Sequence, residues 1–132
     1  MNLSMLLLLL VIQDHSLKVT IRNVKNEQGS VLVAVYRSAD DFMNKRFRSL
    51  KLPAVKGQVV GSFDDHPPGV YAISILHDFN NDMELNKNGL GIPLEGVGFS
   101  NDATGRFGPP DFKKASFEFS ESKELIIDMK YW

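Results

Sequence analysis

Oxygen-bearing side chains occupy every second position in the segment that follows His77. Calcium takes about 6–8 oxygen ligands and tolerates irregular geometry, so alternating Asp, Asn and Glu residues can direct several oxygens at one ion. A carboxylate that returns from further along the chain, at Glu95, can complete such a set. The candidate metal ligands are therefore Asp78, Asn80, Asp82, Glu84, Asn86 and Glu95, and the cofactor they suggest is Ca²⁺.

The same residue types have a second interpretation, because Asp and Asn commonly bond their own backbone and stabilise turns. A helix–loop–helix calcium site is excluded, since the sixth loop position is Met83 instead of Gly and the twelfth is Gly89 instead of a bidentate Glu. Calcium binding and turn chemistry alone are both compatible with this stretch of sequence.

Hydrolysis is a further alternative, which would use His77, Asp78 or Glu95, and Ser100 as base, acid and nucleophile. The sequence around Ser100 has no Gly-x-Ser-x-Gly pattern to present a nucleophile on a sharp turn. His77 also shares its strand face with apolar residues, which favours a partly buried imidazole bonded to a loop.

The elements that must position these residues are short strands. Apolar and polar residues alternate with period two, which places successive side chains on opposite faces of a sheet. This pattern predicts strands over 17–22, 31–35, 58–63, 70–76, 116–120 and 125–132. Residues 38–45 predict one short helix, with Ser38 as its N-cap.

Many short strands without alternating helices predict an all-β fold, an antiparallel two-sheet sandwich of the immunoglobulin-like kind. More than thirty residues separate the strand ending near His77 from the one starting near Ala115, and this stretch holds six of the ten glycines. It retains apolar anchors such as Phe99 and Phe112, so we expect a long ordered loop folded against one end of the sandwich.

Composition excludes several functions. The 132 residues include 15 basic and 16 acidic side chains, so no excess positive charge favours nucleic-acid binding. The chain has no cysteine, which excludes thiol catalysis, thiolate metal sites and disulfides. A hydrophobic content of 43% is typical of a globular domain.

The apolar run at residues 1–12 is too short for a helix across a bilayer, which needs about 20 residues, so no transmembrane span is predicted. Its length suits the core of a secretory signal, although a basic start and a small-residue cleavage site are missing. The alternative is an additional strand or helix on the domain. We therefore expect a leader over 1–16, a single domain over 17–132, and a periplasmic or secreted location.

The loop motif supports a family resemblance. The matching residues are, in order, His77-Asp78-x-Asn80, Asn88, Gly91-x-Pro93-x-Glu95-Gly96-x-Gly98-Phe99-Ser100-Asn101 and Pro109-Pro110-x-Phe112. This order resembles the bacterial family catalogued as domain of unknown function 2141. The resemblance implies a small, usually exported β-sandwich of the prealbumin-like kind, without an established activity. The chain departs from the family pattern at Asp82, Met83 and Asn86, which moves the acidic positions of the loop.

These observations favour a non-enzymatic exported module whose loop 77–102, with or without calcium, binds a small molecule, a glycan or a protein of the envelope or the extracellular space. The alternatives are the small hydrolase and a purely structural domain.

Overall fold

The computed structural model describes residues 15–90, 94–106 and 108–132. Most of the predicted leader, residues 1–14, lies outside this range, as do residues 91–93 of the loop motif. The strands are β1 (Leu17–Val24), β2 (Ser30–Tyr36), β3 (Arg48–Pro53), β4 (Gly57–Phe63), β5 (Gly69–Asp78), β6 (Gly96–Phe99), β7 (Phe117–Phe119) and β8 (Lys123–Asp128). The helical elements in the described residues are a 3₁₀ turn, Ser100–Asp102, and one short helix, α1 (Phe112–Ala115).

The strands form two sheets, which confirms the predicted all-β sandwich. One sheet has the order β4-β1-β8, and the other has the order β3-β2-β5-β6, with β7 paired to the start of β5. Neighbouring strands are antiparallel except for β1 and β8, which run parallel from Leu17 opposite Lys123 to Arg22 opposite Asp128. The first and last strands of the fold are therefore direct neighbours.

One hydrophobic cluster joins the inner faces of both sheets. Its most buried members include Leu17, Val19 and Ile21 of β1, Val31, Val33 and Val35 of β2, Ile73 and Ile75 of β5, and Ile127 and Met129 from the end of the chain. These residues alternate along their strands as the sequence predicts. Both faces of β2 are buried; Phe42 packs on Tyr36 at the end of this strand.

The helix predicted over residues 38–45 is replaced by turns. The Ser38 hydroxyl does accept a hydrogen bond from the Asp41 N–H at 3.1 Å, as an N-cap would. The left-handed backbone of Met43, with φ of +64°, ends the helical geometry within one turn. The Phe42 ring then packs on Tyr36, Phe99 and Phe112, which anchors this segment and the long loop to the same aromatic cluster. No described helix has the length and apolar character that a membrane crossing requires.

His66 is buried among aromatic rings near the start of β5. Tyr71, Phe119, Phe47 and Phe63 surround its imidazole at centroid distances of 4.5–6.0 Å. Its Nδ1 faces the Arg48 guanidinium at 3.0 Å and must therefore accept, which leaves the proton on Nε2, an atom without a hydrogen-bond partner among the described residues. Burial, and then the charge of Arg48, lowers the pKa of His66 from 6.5 to about 4.

This lowered pKa predicts acid sensitivity. The unfolded chain binds a proton at His66 below about pH 6.5, whereas the folded protein resists protonation until about pH 4. Stability should therefore fall as the pH drops through this window, by up to about 1.4 kcal/mol per pH unit from this group. Urea unfolding from pH 7 to pH 4 measures the slope, and His66→Phe should flatten it. Equal slopes for both proteins would contradict the assignment.

Candidate functional site

The candidate site begins where β5 ends, at Asp78. This residue lies opposite Ser30 of β2 and is fully buried. Gly29 allows the close approach, since its φ is +70° and a Cβ there would stand 1.9 Å from the Asp78 carbonyl oxygen. The tight connection between β1 and β2 therefore packs against the start of the loop that follows β5, at Asp78 and Phe79.

The Asp78 carboxylate organises the first turn of that loop. Its Oδ2 accepts the Met83 N–H at 2.7 Å, and its Oδ1 accepts the Asp82 N–H at 3.3 Å. Asn81 and Met83 have left-handed backbones, with φ of 56° and 62°, so the chain curls around the carboxylate. Asn80 and Asp82 each accept the N–H of the residue two positions later, at 3.3 and 2.9 Å. The turn chemistry expected of Asp and Asn is thus present.

Glu95 closes the same loop from its far end. The side chain is buried, with Oε2 accepting the Phe79 N–H at 2.7 Å and Oε1 accepting the Asn86 N–H at 3.0 Å. The Leu94 N–H also bonds the Asn86 carbonyl at 2.7 Å. One carboxylate therefore ties the entry, the middle and the exit of the loop together.

The two buried carboxylates meet the exposed one of Asp82. One oxygen from each of Asp78, Asp82 and Glu95 lies within 4.8 Å of the others. The ion pairs found among the described residues, Lys18–Glu124 and Arg22–Asp128, are on the other sheet, so none involves these three groups. Burial of like charges at this spacing is unfavourable unless a cation or protons compensate it.

The other predicted ligands are arranged differently. Asn86 is half-buried beside the cluster, where its Nδ2 donates to Asp82 Oδ2 at 3.2 Å. Asn80 and Glu84 are exposed, and the cluster of three carboxylates does not include Glu84. The structure therefore brings together Asp78, Asp82, Glu95 and Asn86 and leaves Glu84 on the rim.

His77 is fully buried and belongs to a hydrogen-bond chain. Its Nε2 lies 2.7 Å from the Gln28 carbonyl, which can only accept, so Nε2 carries the proton. Its Nδ1 then accepts from the Tyr131 hydroxyl at 2.7 Å, and that oxygen accepts the Lys25 N–H at 3.0 Å. Burial lowers the pKa of His77, an effect that the Gln28 carbonyl and the charges of Glu95 and Asp78 partly oppose.

Tyr131 is the functional partner that sequence reasoning missed. Its ring stacks on Phe79 at 6.4 Å and lies over Gly96, where a Cβ would come within 2.3 Å of the ring. Gly96 was visible in the sequence, but neither its position opposite His77 nor the ring that needs the space could be predicted without β6.

Ser100 lies apart from this cluster. Its buried hydroxyl accepts the Ile73 N–H at 2.9 Å and donates to the Ala115 carbonyl. Ile73 is four residues from His77 on β5, about 13 Å along a strand. The histidine, carboxylate and serine groups of the hydrolase hypothesis are therefore not assembled, and both ring nitrogens of His77 are already bonded.

Fold and site together define a small β-sandwich whose long loop is held by buried carboxylates. The comparison with family models agrees: residues 19–127 match the family described as "Uncharacterized protein conserved in bacteria (DUF2141)". The chain belongs to this family, as its loop motif indicates. Comparisons with curated proteins and with solved structures gave no match.

The two backbone hydrogen bonds that Glu95 accepts predict that its replacement lowers the free energy of unfolding substantially. Glu95→Ala leaves the Phe79 and Asn86 N–H groups without an acceptor, at a cost of about 1–3 kcal/mol each. Glu84→Ala, on an exposed residue of the same loop, should change stability by less than about 0.5 kcal/mol. Urea unfolding measures both, and amide hydrogen exchange should accelerate at Phe79 and Asn86 in Glu95→Ala alone. Equal stability of the two variants would refute this role.

Proposed function

We propose that this protein is a non-enzymatic exported binding domain that takes up calcium at Asp78, Asp82 and Glu95 and presents its ordered loop to a ligand. The observation that carries the proposal is the convergence of these three carboxylates within 4.8 Å, two of them buried, without an ion-pair partner in the described part of the chain. A divalent cation would neutralise this charge.

The hydrogen bonds already made do not prevent such binding. Each carboxylate oxygen has two lone pairs, and the backbone N–H groups use only one of them on most oxygens. Asp78, Asp82 and Glu95 would supply carboxylate oxygens, Asn86 could turn its amide oxygen toward the ion, and water would complete the shell, as calcium permits. Backbone N–H bonds to the same carboxylates would then orient the ligands.

The loop also exposes apolar side chains, which supports a binding role. Met83, Leu85, Leu90 and Leu94 are 48%, 36%, 85% and 57% exposed. A contiguous exposed apolar patch marks contact with another molecule, and in this proposal these four side chains form one. Because these side chains are aliphatic and not aromatic, we favour a peptide or protein of the envelope or extracellular space over a glycan.

A calcium titration tests the metal part of the proposal. After chelation, millimolar calcium should raise the melting temperature; binding at 100 times the dissociation constant contributes about 2.7 kcal/mol, or roughly 8 °C for a domain of this size. Asp82→Asn should abolish the rise, because it removes one charge while an amide oxygen can still accept the Glu84 N–H.

Two controls make the calcium test specific. Asp40→Asn, on an exposed turn residue, should retain the full response. In chelator, Asp82→Asn should be at least as stable as the natural protein, because it relieves repulsion with Asp78 and Glu95. No thermal shift with calcium in the natural protein would exclude the metal site and leave the loop supported by its own hydrogen bonds.

The proposal that the protein is exported depends on the apolar run at residues 1–12. The full chain, produced in a bacterium with two membranes and followed by cell fractionation, should be recovered from the periplasm or the medium. Leu8→Arg should retain it in the cytoplasm by interrupting the apolar run, whereas Asp14→Asn, outside the run, should not. Cytoplasmic recovery of the natural chain would contradict export.

A further inference from the structure

The edge of the smaller sheet carries an unused set of backbone groups. β4 pairs with β1 on one side, from Gly57 opposite Val24 to Phe63 opposite Leu17. On its other side β4 has no strand partner within residues 15–90, 94–106 and 108–132. An exposed edge of this kind can pair with a strand from another chain.

Proteins usually protect such edges with charges or proline, and β4 has neither. Its sequence, GQVVGSF, contains no charged residue and no proline over seven positions. The edge strand of the other sheet, β3, contrasts with it, because β3 carries Arg48, Lys51 and Pro53. The two edges therefore differ in the features that prevent association.

The outward face beside this edge is also neutral. Val60 is 45% exposed and lies beside Thr20, which in turn lies beside Ile126, 48% exposed. The charged groups of this face are on β1 and β8, away from the free edge of β4. They neutralise each other there, with Lys18 at 3.3 Å from Glu124 and Arg22 at 2.7 Å from Asp128.

We propose that β4 pairs antiparallel with β4 of a second copy of this chain, about a two-fold axis at Val60. Val60 is the middle residue of Gly57–Phe63, so this register aligns the complete strands. It places Val60 opposite Val60 of the second copy and Gln58 opposite Ser62 of the second copy. The two three-stranded sheets become one continuous sheet of six strands.

The strand itself argues for a second copy as the occupant. An isologous contact requires a surface that is complementary to itself. β4 meets this requirement when a second β4 lies antiparallel to it about a two-fold axis at Val60. Its polar residues then face polar residues, its exposed valine faces valine, and no charge lies at the seam. A seven-residue edge is smaller than the usual interface of about 800 Å² per partner, so the dimer is weak and depends on concentration.

Single cysteines test the register directly, since the full chain has none of its own. Opposed residues in antiparallel strands are about 4.5–5.5 Å apart between Cα atoms, within the disulfide range of about 4.4–6.8 Å. Val60→Cys should therefore form a disulfide dimer under mild oxidation. Ser62→Cys, exposed on the same strand, should not, because its counterpart lies about 13 Å away. Ser62→Cys mixed with Gln58→Cys should form the mixed dimer.

Sedimentation equilibrium of the reduced, full-length protein gives an independent test. The natural chain should show a monomer–dimer equilibrium that Val60→Lys weakens by roughly tenfold or more, because two like charges would face each other at the axis. Ile126→Lys, at a similarly exposed position on the other edge of the sheet, should associate as the natural chain does.

Three outcomes would overturn the proposal. One is a natural chain that stays monomeric at millimolar concentration, and another is equal cross-linking of Val60→Cys, Ser62→Cys and Ile126→Cys. The third is slow amide exchange along both edges of β4 in the monomer, independent of concentration, which would mean that another segment of the same chain covers the edge. Because β4 is on the sheet opposite the carboxylate cluster, the result does not depend on calcium binding.

Discussion

The burial of two carboxylates at one end of the sandwich is the constraint on which the long loop depends. The carboxylates of Asp78 and Glu95 accept hydrogen bonds, and backbone N–H groups within residues 79–86 donate to them. A loop with many glycines and exposed apolar residues would otherwise lose much of its order to conformational entropy. The proposed calcium site uses the same three carboxylates, so support of the loop and the proposed binding would share one arrangement.

Period-two alternation predicted most of the fold from the sequence, because residues on the buried face of a strand are apolar and those on its exposed face are polar. β3 escaped prediction because Leu50 and Leu52 are only half-buried and are flanked by Arg48, Lys51 and Pro53. β6 escaped it because two of its four residues are glycines, present to accommodate Tyr131 and Ile127. Both cases depend on tertiary contacts, which local pattern does not contain.

For the candidate site, the sequence indicated the loop in which three carboxylates converge but not the hydrogen-bond partners of its residues. Asp78, Asp82 and Glu95 converge as the calcium hypothesis requires, although Glu95 is remote in sequence. His77 and Ser100 stood out as reactive residue types, yet each uses its polar atoms to fix backbone segments. Residue type and spacing show which atoms are available, whereas the partners that occupy them follow from the folded chain.

The parallel pairing of β1 with β8 determines when this protein can complete its core. Ile127 and Met129 fill the centre of the hydrophobic cluster, and Tyr131 holds His77, so the interior depends on the final residues of the chain. The pairing joins residues far apart in the sequence, with Leu17 opposite Lys123, and non-local pairings of this kind slow folding. A nascent chain that has not reached Lys123 lacks β8, and its β1 has unpaired backbone on the side that β8 will occupy. The hydrophobic core can therefore close only after residues 123–129 have been synthesised, however early the other strands pair.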